Sequence, residues 1–309
     1  MANTLGSLNG ALILQEALSL TFTKRPLLKM ISKGFTELDG SVQNALLGQS
    51  VTSRIKTVQT VNAFGTGAGN IVDTDVNVSL SAMKEIHVAI TPAQYNATNR
   101  DIIAEAAEPI AVALGNHIVD SVADLWTVGT YGAGISAAAA AWTYAGLVLP
   151  IRNAMANAGI SEANRFCVLN SAAYGALLAD KDIVAALNNP MNLNAIAEGR
   201  LPKIAGIQFD EYAALSANAT GATTDKRIGF AGNPESTVFV ARAPKAPSEV
   251  GAASFPGTID FVQDPTTGFR VMVNQWVDPS TLVYNNRLVW LQGFAVGNAT
   301  QGLMVRNTI

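Results

Sequence analysis

The chain has 309 residues, of which 49% are hydrophobic and only 14% are charged, and its formal net charge at pH 7 is −3. Soluble domains typically carry about 25% charged residues, so we expect other protein to cover much of this surface. The small net charge argues against charge-driven nucleic-acid binding. The single cysteine, Cys167, excludes an internal disulfide framework and a multi-thiolate metal site.

The sequence indicates neither membrane insertion nor secretion. The longest uncharged apolar stretch, 129–151, consists mostly of small residues and contains glycine and proline. It lacks the run of about 20 strongly apolar residues that a membrane-spanning helix needs. The first residues lack a basic segment followed by an apolar core, so we expect no secretion signal and synthesis in a cytoplasm.

The first predicted elements are an N-terminal arm and a long β-hairpin. Residues 4–31 have the pattern of a moderately amphipathic helix that Pro26 ends. Richness in Val, Thr and Ile predicts a strand over 48–61, and alternation predicts a returning strand over 71–80. Apolar and polar residues of the returning strand fall on opposite faces: Val72, Thr74, Val76, Val78 and Leu80 against Asp73, Asp75, Asn77 and Ser79.

The glycine-rich run at 65–69 lies between these two strands. A nucleotide-binding loop would need a helix N-terminus directly after the glycines, so that backbone amides face the phosphates. Here a strand pattern follows, and no Gly-Lys-Ser/Thr is present. The run is therefore interpreted as the flexible tip of the hairpin.

A long helix is predicted after Thr91, the expected N-cap, with Pro92 at its tolerated position in the first turn. Apolar residues three or four apart continue over 102–126. An unbroken helix ending at 126 would be roughly 50 Å long. Pro109 and Gly115 lie inside it and predict a bend.

The remainder of the chain has mixed α/β character, followed by a β-rich end. Helices are predicted at 143–158, 172–178 and 182–187, and strands at 166–169, 227–241, 258–262, 269–276 and 288–296. The stretch 199–209 is expected to lead into a further strand. Pro150 falls inside the first of these helices, where its ring predicts a local kink.

Few residues are suited to catalysis or metal binding. Only two histidines occur, His87 and His117, and neither a Gly-x-Ser-x-Gly nor a His-Glu-x-x-His motif is present. We expect structural roles for both histidines and for Cys167, which lies in an apolar strand pattern. The acidic residues of the long helix lack the Glu-x-x-His motif of carboxylate metal centres. We therefore assign no catalytic, cofactor-binding or metal-binding residue.

Charge placement instead suggests a contact between subunits. Arg54 and Lys56 are expected on one side of the hairpin, opposite in sign to the acidic residues of the long helix. Asp101 and Glu105 are a like-charge pair one turn apart, which a cation from a partner subunit would accommodate. The candidate intersubunit residues are Arg54, Lys56, Phe64, Asp101, Glu105 and Glu108.

The order of these elements resembles the major capsid proteins of tailed bacteriophages, which share the Hong Kong 97-type fold. The stretches that carry the resemblance are GQSVTSRI at 48–55 with DVNVSL at 75–80 and EIHVAIT at 85–91, the helix at 102–126, NRFCVLN at 164–170, the stretch 199–209, and LQGFAV at 291–296. Each is a loose pattern, and the order carries the resemblance.

The resemblance implies an α+β fold with four parts. These are an N-terminal arm (1–47), an extended hairpin called the E-loop (48–90), a peripheral domain with the long spine helix (91–131 and 246–309), and an axial domain (132–245). Some relatives seal their shells with a Lys–Asn isopeptide bond. This hairpin tip contains no lysine, so that chemistry is not expected here.

By the same resemblance, the chain is expected to be a structural protein and no enzyme, in the virion capsid and assembled in a bacterial host cytoplasm. It would form pentamers and hexamers of an icosahedral shell around double-stranded DNA, bound without sequence specificity. Scaffolding, portal and decoration proteins are the other candidate partners, and no membrane is involved. Two alternatives remain open: an encapsulin-like nanocompartment shell, and a cytoplasmic α/β enzyme with a nucleotide site at the glycine run.

Overall fold

A computed structural model shows a mixed helix and sheet structure. It describes residues 17, 21, 26–29, 44–56, 73–97, 102–187, 200–201, 203–215, 225–246, 257–263 and 269–308. These residues form two compact units. The first takes in the described residues of Met1–Leu28, Gly34–Ile118 and Phe239–Ala295, and the second those of Lys29–Lys33, Val119–Val238 and Val296–Ile309. The assignment of arm, E-loop, peripheral and axial domains to the predicted ranges stays a prediction.

The described parts of the chain contain both strands and helices, with the strands predominating at the two ends. The strands are β1 (Asn44–Ala45), β2 (Ser50–Lys56), β3 (Asp73–Ser79), β4 (Ala82–Ile90), β5 (Ile135–Ala137), β6 (Phe166–Leu169), β7 (Gln208–Glu211), β8 (Asp225–Gly232), β9 (Thr237–Pro244), β10 (Thr258–Gln263), β11 (Arg270–Val277), β12 (Tyr284–Val296) and β13 (Gly302–Thr308). The α-helices are α1 (Pro92–Ala97), α2 (Ile102–Ala123), α3 (Val128–Tyr131), α4 (Leu149–Asn157), α5 (Ser171–Leu178) and α6 (Lys181–Leu187).

The first unit is built on a six-stranded sheet with β12 near its centre. Its strand order is β1-β9-β12-β11-β10, and β4 also pairs with β12. Both β4 and β11 run antiparallel to β12. The side chains of Leu288 and Trp290 on β12 are buried, as is Val273 on β11. The predicted strands at 258–262, 269–276 and 288–296 are confirmed by β10, β11 and β12, and consecutive residues are buried in the middle of β11 and β12.

Helix α2 differs in extent from the predicted long helix. Pro92 does begin a helix, and Thr91 is joined to its first turn because the Thr91 backbone N–H donates to Gln94 Oε1 at 2.8 Å. Residues 98–101 lie outside the described residues, so continuity between α1 and α2 stays a prediction. The predicted end at Trp126 is wrong by three residues, because α2 ends at Ala123 and the chain then tightens into turns.

The second unit contains a five-stranded sheet of order β5-β13-β8-β6-β7. All residues of β6 are buried, and Cys167 belongs to a core formed with α4 and α5, including Met155 and Leu177. Helix α5 begins as predicted, because the Asn170 side chain accepts a hydrogen bond from Ala173 N at 2.9 Å.

An aromatic cluster forms a second buried centre in this unit. Phe230 on β8 stacks on Trp126, with ring centroids 4.5 Å apart, and meets Tyr131 edge-on at 4.9 Å. The buried Arg227 guanidinium donates to Ala123 O at 2.6 Å and Trp126 O at 3.0 Å. Ala123 is the last residue of α2, and its carbonyl also accepts from Trp126 N, so Arg227 adds a side-chain donor to the carbonyls at the C-terminal end of the helix.

Pro150 has a physical explanation that the sequence alone does not provide. The helix capped by Thr143 starts with a π-helical turn, Tyr144–Val148, and the α-helix starts only at Leu149. Pro150 therefore occupies the first turn of α4, where a missing N–H breaks no helical hydrogen bond.

The range 199–209 leads into a strand as predicted: Ala205 and Gly206, with φ values of 50° and 82°, form a tight turn, and β7 begins at Gln208. The next prediction is wrong in its extent. The single strand predicted over 227–241 is two strands, because Asn233 caps a short 3-10 turn that contains Pro234. Strands β5 and β13 were not predicted.

Parts of the predicted N-terminal arm and the hairpin tip at 65–69 lie outside the described residues. Among the residues that the structure describes, no helix is long and apolar enough to cross a membrane.

Candidate assembly surface

The hairpin pairs β2 with β3 in an antiparallel register that joins Ser50 to Ser79 at one end and Lys56 to Asp73 at the other. One face is buried near its start, since Val51 is 8% exposed and Val78 is 1% exposed. Ser53 on the same face of β2 is also buried, whereas the alternate residues Thr52, Arg54, Asp75, Asn77 and Ser79 are exposed. The two-residue alternation in the sequence therefore predicted both the strand and its buried face correctly.

The exposed face of the hairpin carries cross-strand polar pairs. Thr52 Oγ1 donates to Asn77 Oδ1 at 2.8 Å. Arg54 Nε lies 3.7 Å from Asp75 Oδ1, and these two side chains are 75% and 54% exposed. An ion pair this exposed contributes little to stability. Arg54 thus has an acidic neighbour within its own hairpin, which the sequence analysis did not identify although the register places the two residues opposite each other.

Of the other predicted contact residues that the structure describes, Lys56 belongs to the hairpin, whereas Glu105 and Glu108 lie on α2. Glu108 is exposed on α2, and Glu105 belongs to the same helix, but its side chain is not described. Lys56 ends β2, and its side chain is likewise not described. Phe64 and Asp101 lie outside the described residues. The proposed contact between subunits therefore stays a prediction.

The root of the hairpin, defined as residues 46–49 and 78–81, is joined by backbone hydrogen bonds. Gly48 N donates to Leu80 O at 2.9 Å, and Leu80 N donates to Gln49 O at 2.8 Å. Leu80 is fully buried. Gly48 has a φ of 85°, a left-handed conformation that favours glycine and turns the chain into β2. The root is therefore anchored, although the outer hairpin is largely exposed on one face.

Large apolar side chains are exposed around this root. Leu46 and Leu47 are 53% and 57% exposed in the turn before β2, and Met83, just after the root, is 53% exposed. Phe294 on β12, 37% exposed, follows Gly293, which packs closely on Ser79. The adjacent leucines before Gly48 are the sequence signal for this exposed apolar surface, which was not predicted. Exposed apolar residues gathered at one place are typical of interaction surfaces.

Both histidines have structural partners in the first unit. His87 lies 2.9 Å from Asn285 Oδ1 and stacks on Trp276, with ring centroids 5.4 Å apart. Because Asn285 Nδ2 donates to Val283 O, its oxygen faces His87, and His87 Nε2 is the donor.

The second histidine connects α2 to the sheet. His117 Nε2 lies 3.0 Å from Gln292 Oε1, which also accepts from Trp290 Nε1 at 3.0 Å. The shared acceptor holds α2 against β12 within the first unit. These partners agree with the structural roles predicted for the histidines.

The environment of Cys167 does not favour a reactive thiol. Cys167 is fully buried, and burial raises the pKa of its thiol far above the ordinary value, so the reactive thiolate is disfavoured. Among the residues that the structure describes, no group of three or more His, Cys, Asp or Glu side chains could hold a metal ion.

No protein-family model matches the sequence, and no curated protein matches it. The chain is similar to solved structures from phages. A structure from Mycobacterium phage Che8 is 16% identical, with 84% of each chain covered and a TM-score of 0.52. The capsid structure of Cyanophage P-SCSP1u is 13% identical, with 88% of this chain and 92% of that chain covered and a TM-score of 0.51.

A third similar structure is the capsid asymmetric unit of Cyanophage Pam1, at 14% identity, with 90% of this chain and 88% of that chain covered and a TM-score of 0.51. At such identities the likeness concerns the fold. The chain therefore has the α+β fold of phage capsid structures, and the predicted fold class is confirmed. The identification of single elements as N-arm, E-loop or spine helix stays a prediction.

Proposed function

We propose that this chain is the major capsid protein of a tailed bacteriophage, a structural protein without a catalytic role. One observation carries the proposal: the fold is that of phage capsid structures over 88–90% of the chain. The contacts of the histidines and the burial of Cys167 agree with it, because they leave these groups in structural roles.

The described surface suits a protein that contacts copies of itself. The hairpin presents polar groups on one face, and exposed leucine, methionine and phenylalanine side chains surround its root. A two-stranded hairpin is only marginally stable in water by itself, so contacts with other subunits would stabilise it further. Large interfaces of modest strength also allow misplaced subunits to dissociate before a shell closes.

We propose further that the chain assembles as pentamers and hexamers into an icosahedral shell. Heterologous contacts around a rotation axis produce such closed rings. The shell would enclose double-stranded DNA without reading its sequence, and a net charge of −3 limits repulsion between the copies and that DNA. The protein would be located in the virion capsid after assembly in the bacterial cytoplasm, with scaffolding, portal and decoration proteins as further partners.

The test of the proposed function is electron microscopy of the expressed chain, together with sedimentation analysis. Closed shells, tubes or rings of five and six subunits are the expected result. Monodisperse monomers under all conditions, above all monomers that bind a nucleotide, would contradict the proposal. Particles isolated from the native source should contain double-stranded DNA, and particles filled with protein cargo would indicate a nanocompartment instead.

The proposed contact between Arg54 and Lys56 of one subunit and the acidic residues of α2 in another can be tested by charge reversal. We expect Arg54→Glu with Lys56→Glu to impair assembly without unfolding the subunit, because like charges would then face each other. A matched control reverses two exposed cations of the second unit, Arg152 and Lys181. Normal assembly of the hairpin variant would refute the contact.

A further inference from the structure

Gly293, on β12, lies directly against the root of the hairpin. A Cβ atom built at this position would lie closer than 3.0 Å to the backbone carbonyl of Ser79, a separation that real Cβ atoms do not show. It would also lie 2.9 Å from Val78 Cγ1. The hairpin root therefore occupies the space that any other residue at position 293 would fill.

The two sides of this contact differ in how firmly they are held. From Tyr284 to Val289, β12 is paired on both sides, with β11 and with β4, and its pairing with β4 continues to Gln292, the neighbour of Gly293. Ser79 is the last residue of β3, and its carbonyl belongs to the turn that connects β3 to β4. A steric conflict at Gly293 would therefore displace the hairpin root more readily than the central strand.

We propose that Gly293 is a positioning residue that sets the direction in which the hairpin leaves the sheet. The inference rests on the proposed function, because the direction matters only if the hairpin meets another subunit. Each strand of the described hairpin has seven residues, a length of about 23 Å at roughly 3.3 Å per residue. A small shift at Ser79 therefore moves the far end of the hairpin by a larger distance, and a contact with a neighbouring subunit would lose its register.

The test compares two glycine substitutions of similar steric severity. Gly293→Ala places a methyl group against the Ser79 carbonyl, and Gly297→Ala places one against the Glu235 carbonyl in the second unit. Hydrogen exchange of the unassembled subunit is measured on peptides that cover residues 44–56 and 73–81. We expect at least tenfold faster exchange in these peptides for Gly293→Ala and less than twofold change for Gly297→Ala.

The functional readout is the assembled particle. We expect Gly293→Ala to give particles of altered diameter, or open sheets. Under the same conditions, the folded fraction of Gly297→Ala should give particles of the parental diameter. If Gly293 had only a structural role, both variants would have lower melting temperatures, and their particles would not differ in diameter. Unchanged exchange at the root together with particles of parental diameter for Gly293→Ala would overturn the proposal.

A second variant reaches the same contact from the hairpin and avoids the steric conflict. Val78→Ala removes the buried side chain that packs at Gly293 and adds no atom. We expect faster exchange at the root and a broader distribution of particle diameters, and unchanged values of both would count against the inference. If the parental chain forms no particles, the proposed function fails, whereas the exchange experiment still decides the role of Gly293.

Discussion

The hairpin and the five-stranded sheet of the second unit are both β-structures, but they are stabilised in different ways. Every residue of β6 in the sheet is buried, and Phe230 on the adjacent strand lies within an aromatic cluster. The hairpin buries Val51 and Val78 near its root and pairs exposed polar groups across its other face. The sheet thus obtains its stability from its own core, and the hairpin depends mostly on its anchored root.

The largest effect should follow from Phe230→Ala. This substitution removes a fully buried ring that contacts Trp126 and Tyr131, so we expect the free energy of unfolding to fall by about 3–5 kcal/mol. Denaturant unfolding of the unassembled subunit measures the loss. Phe294→Ala, at a 37% exposed position, is the control and should cost much less. Equal losses of unfolding free energy in the two variants would contradict the conclusion that the buried core stabilises the sheet of the second unit.

A smaller effect is expected from Arg227→Met. The substitution leaves Ala123 O and Trp126 O without the guanidinium donor in a buried place, at a cost of about 1–3 kcal/mol. Burial lowers the pKa of Arg227, and nearby Asp124 acts in the opposite direction. Arg227→Lys keeps the charge but not the planar fork, so it should restore only part of the stability. Full restoration by lysine in the same unfolding experiment would show that the charge alone matters.

Removal of the hairpin ion pair should change stability least. Arg54→Ala and Asp75→Ala should each shift the free energy of unfolding by no more than about 0.5 kcal/mol, because both side chains are more than half exposed. Unfolding curves at low and high salt should nearly coincide. A loss above about 1 kcal/mol would show that the hairpin resembles the sheet in depending on its own contacts.

A local effect is expected at the turn between β11 and β12. The hydroxyl and backbone N–H of Ser280 donate to Asp278, and with Thr281 they hold the pKa of Asp278 below its ordinary value. The stabilising effect of the carboxylate is present above the unfolded-state pKa and is lost as pH falls through the lower folded-state pKa. Titration of the Asp278 carboxyl by NMR should show a pKa below the ordinary value, and Ser280→Ala should raise that pKa. An unchanged pKa in that variant would refute the cause.

Local patterns in the sequence predicted much of the hairpin and of the second unit. Alternation predicted β3 and its buried face, and Asn170 marked the start of α5, because side chains one or a few residues apart determine both features. The extents of β8 and β9 were wrong where Pro234 introduces a turn inside β-like composition. The π-helical turn before Pro150 could not be predicted from the sequence pattern either, because one extra residue in a helical turn leaves no periodic signal.

The sequence alone determined the hairpin strands with their exposed polar face, the start of α5 and the strands β10 to β12. Only the tertiary structure placed Gly293 against Ser79, His117 against Gln292, and Arg227 at the end of α2. Each of these contacts joins residues that are far apart in the chain. Such contacts depend on how the strands and helices pack, and packing is decided by the shapes of whole surfaces, which short-range periodicity does not record.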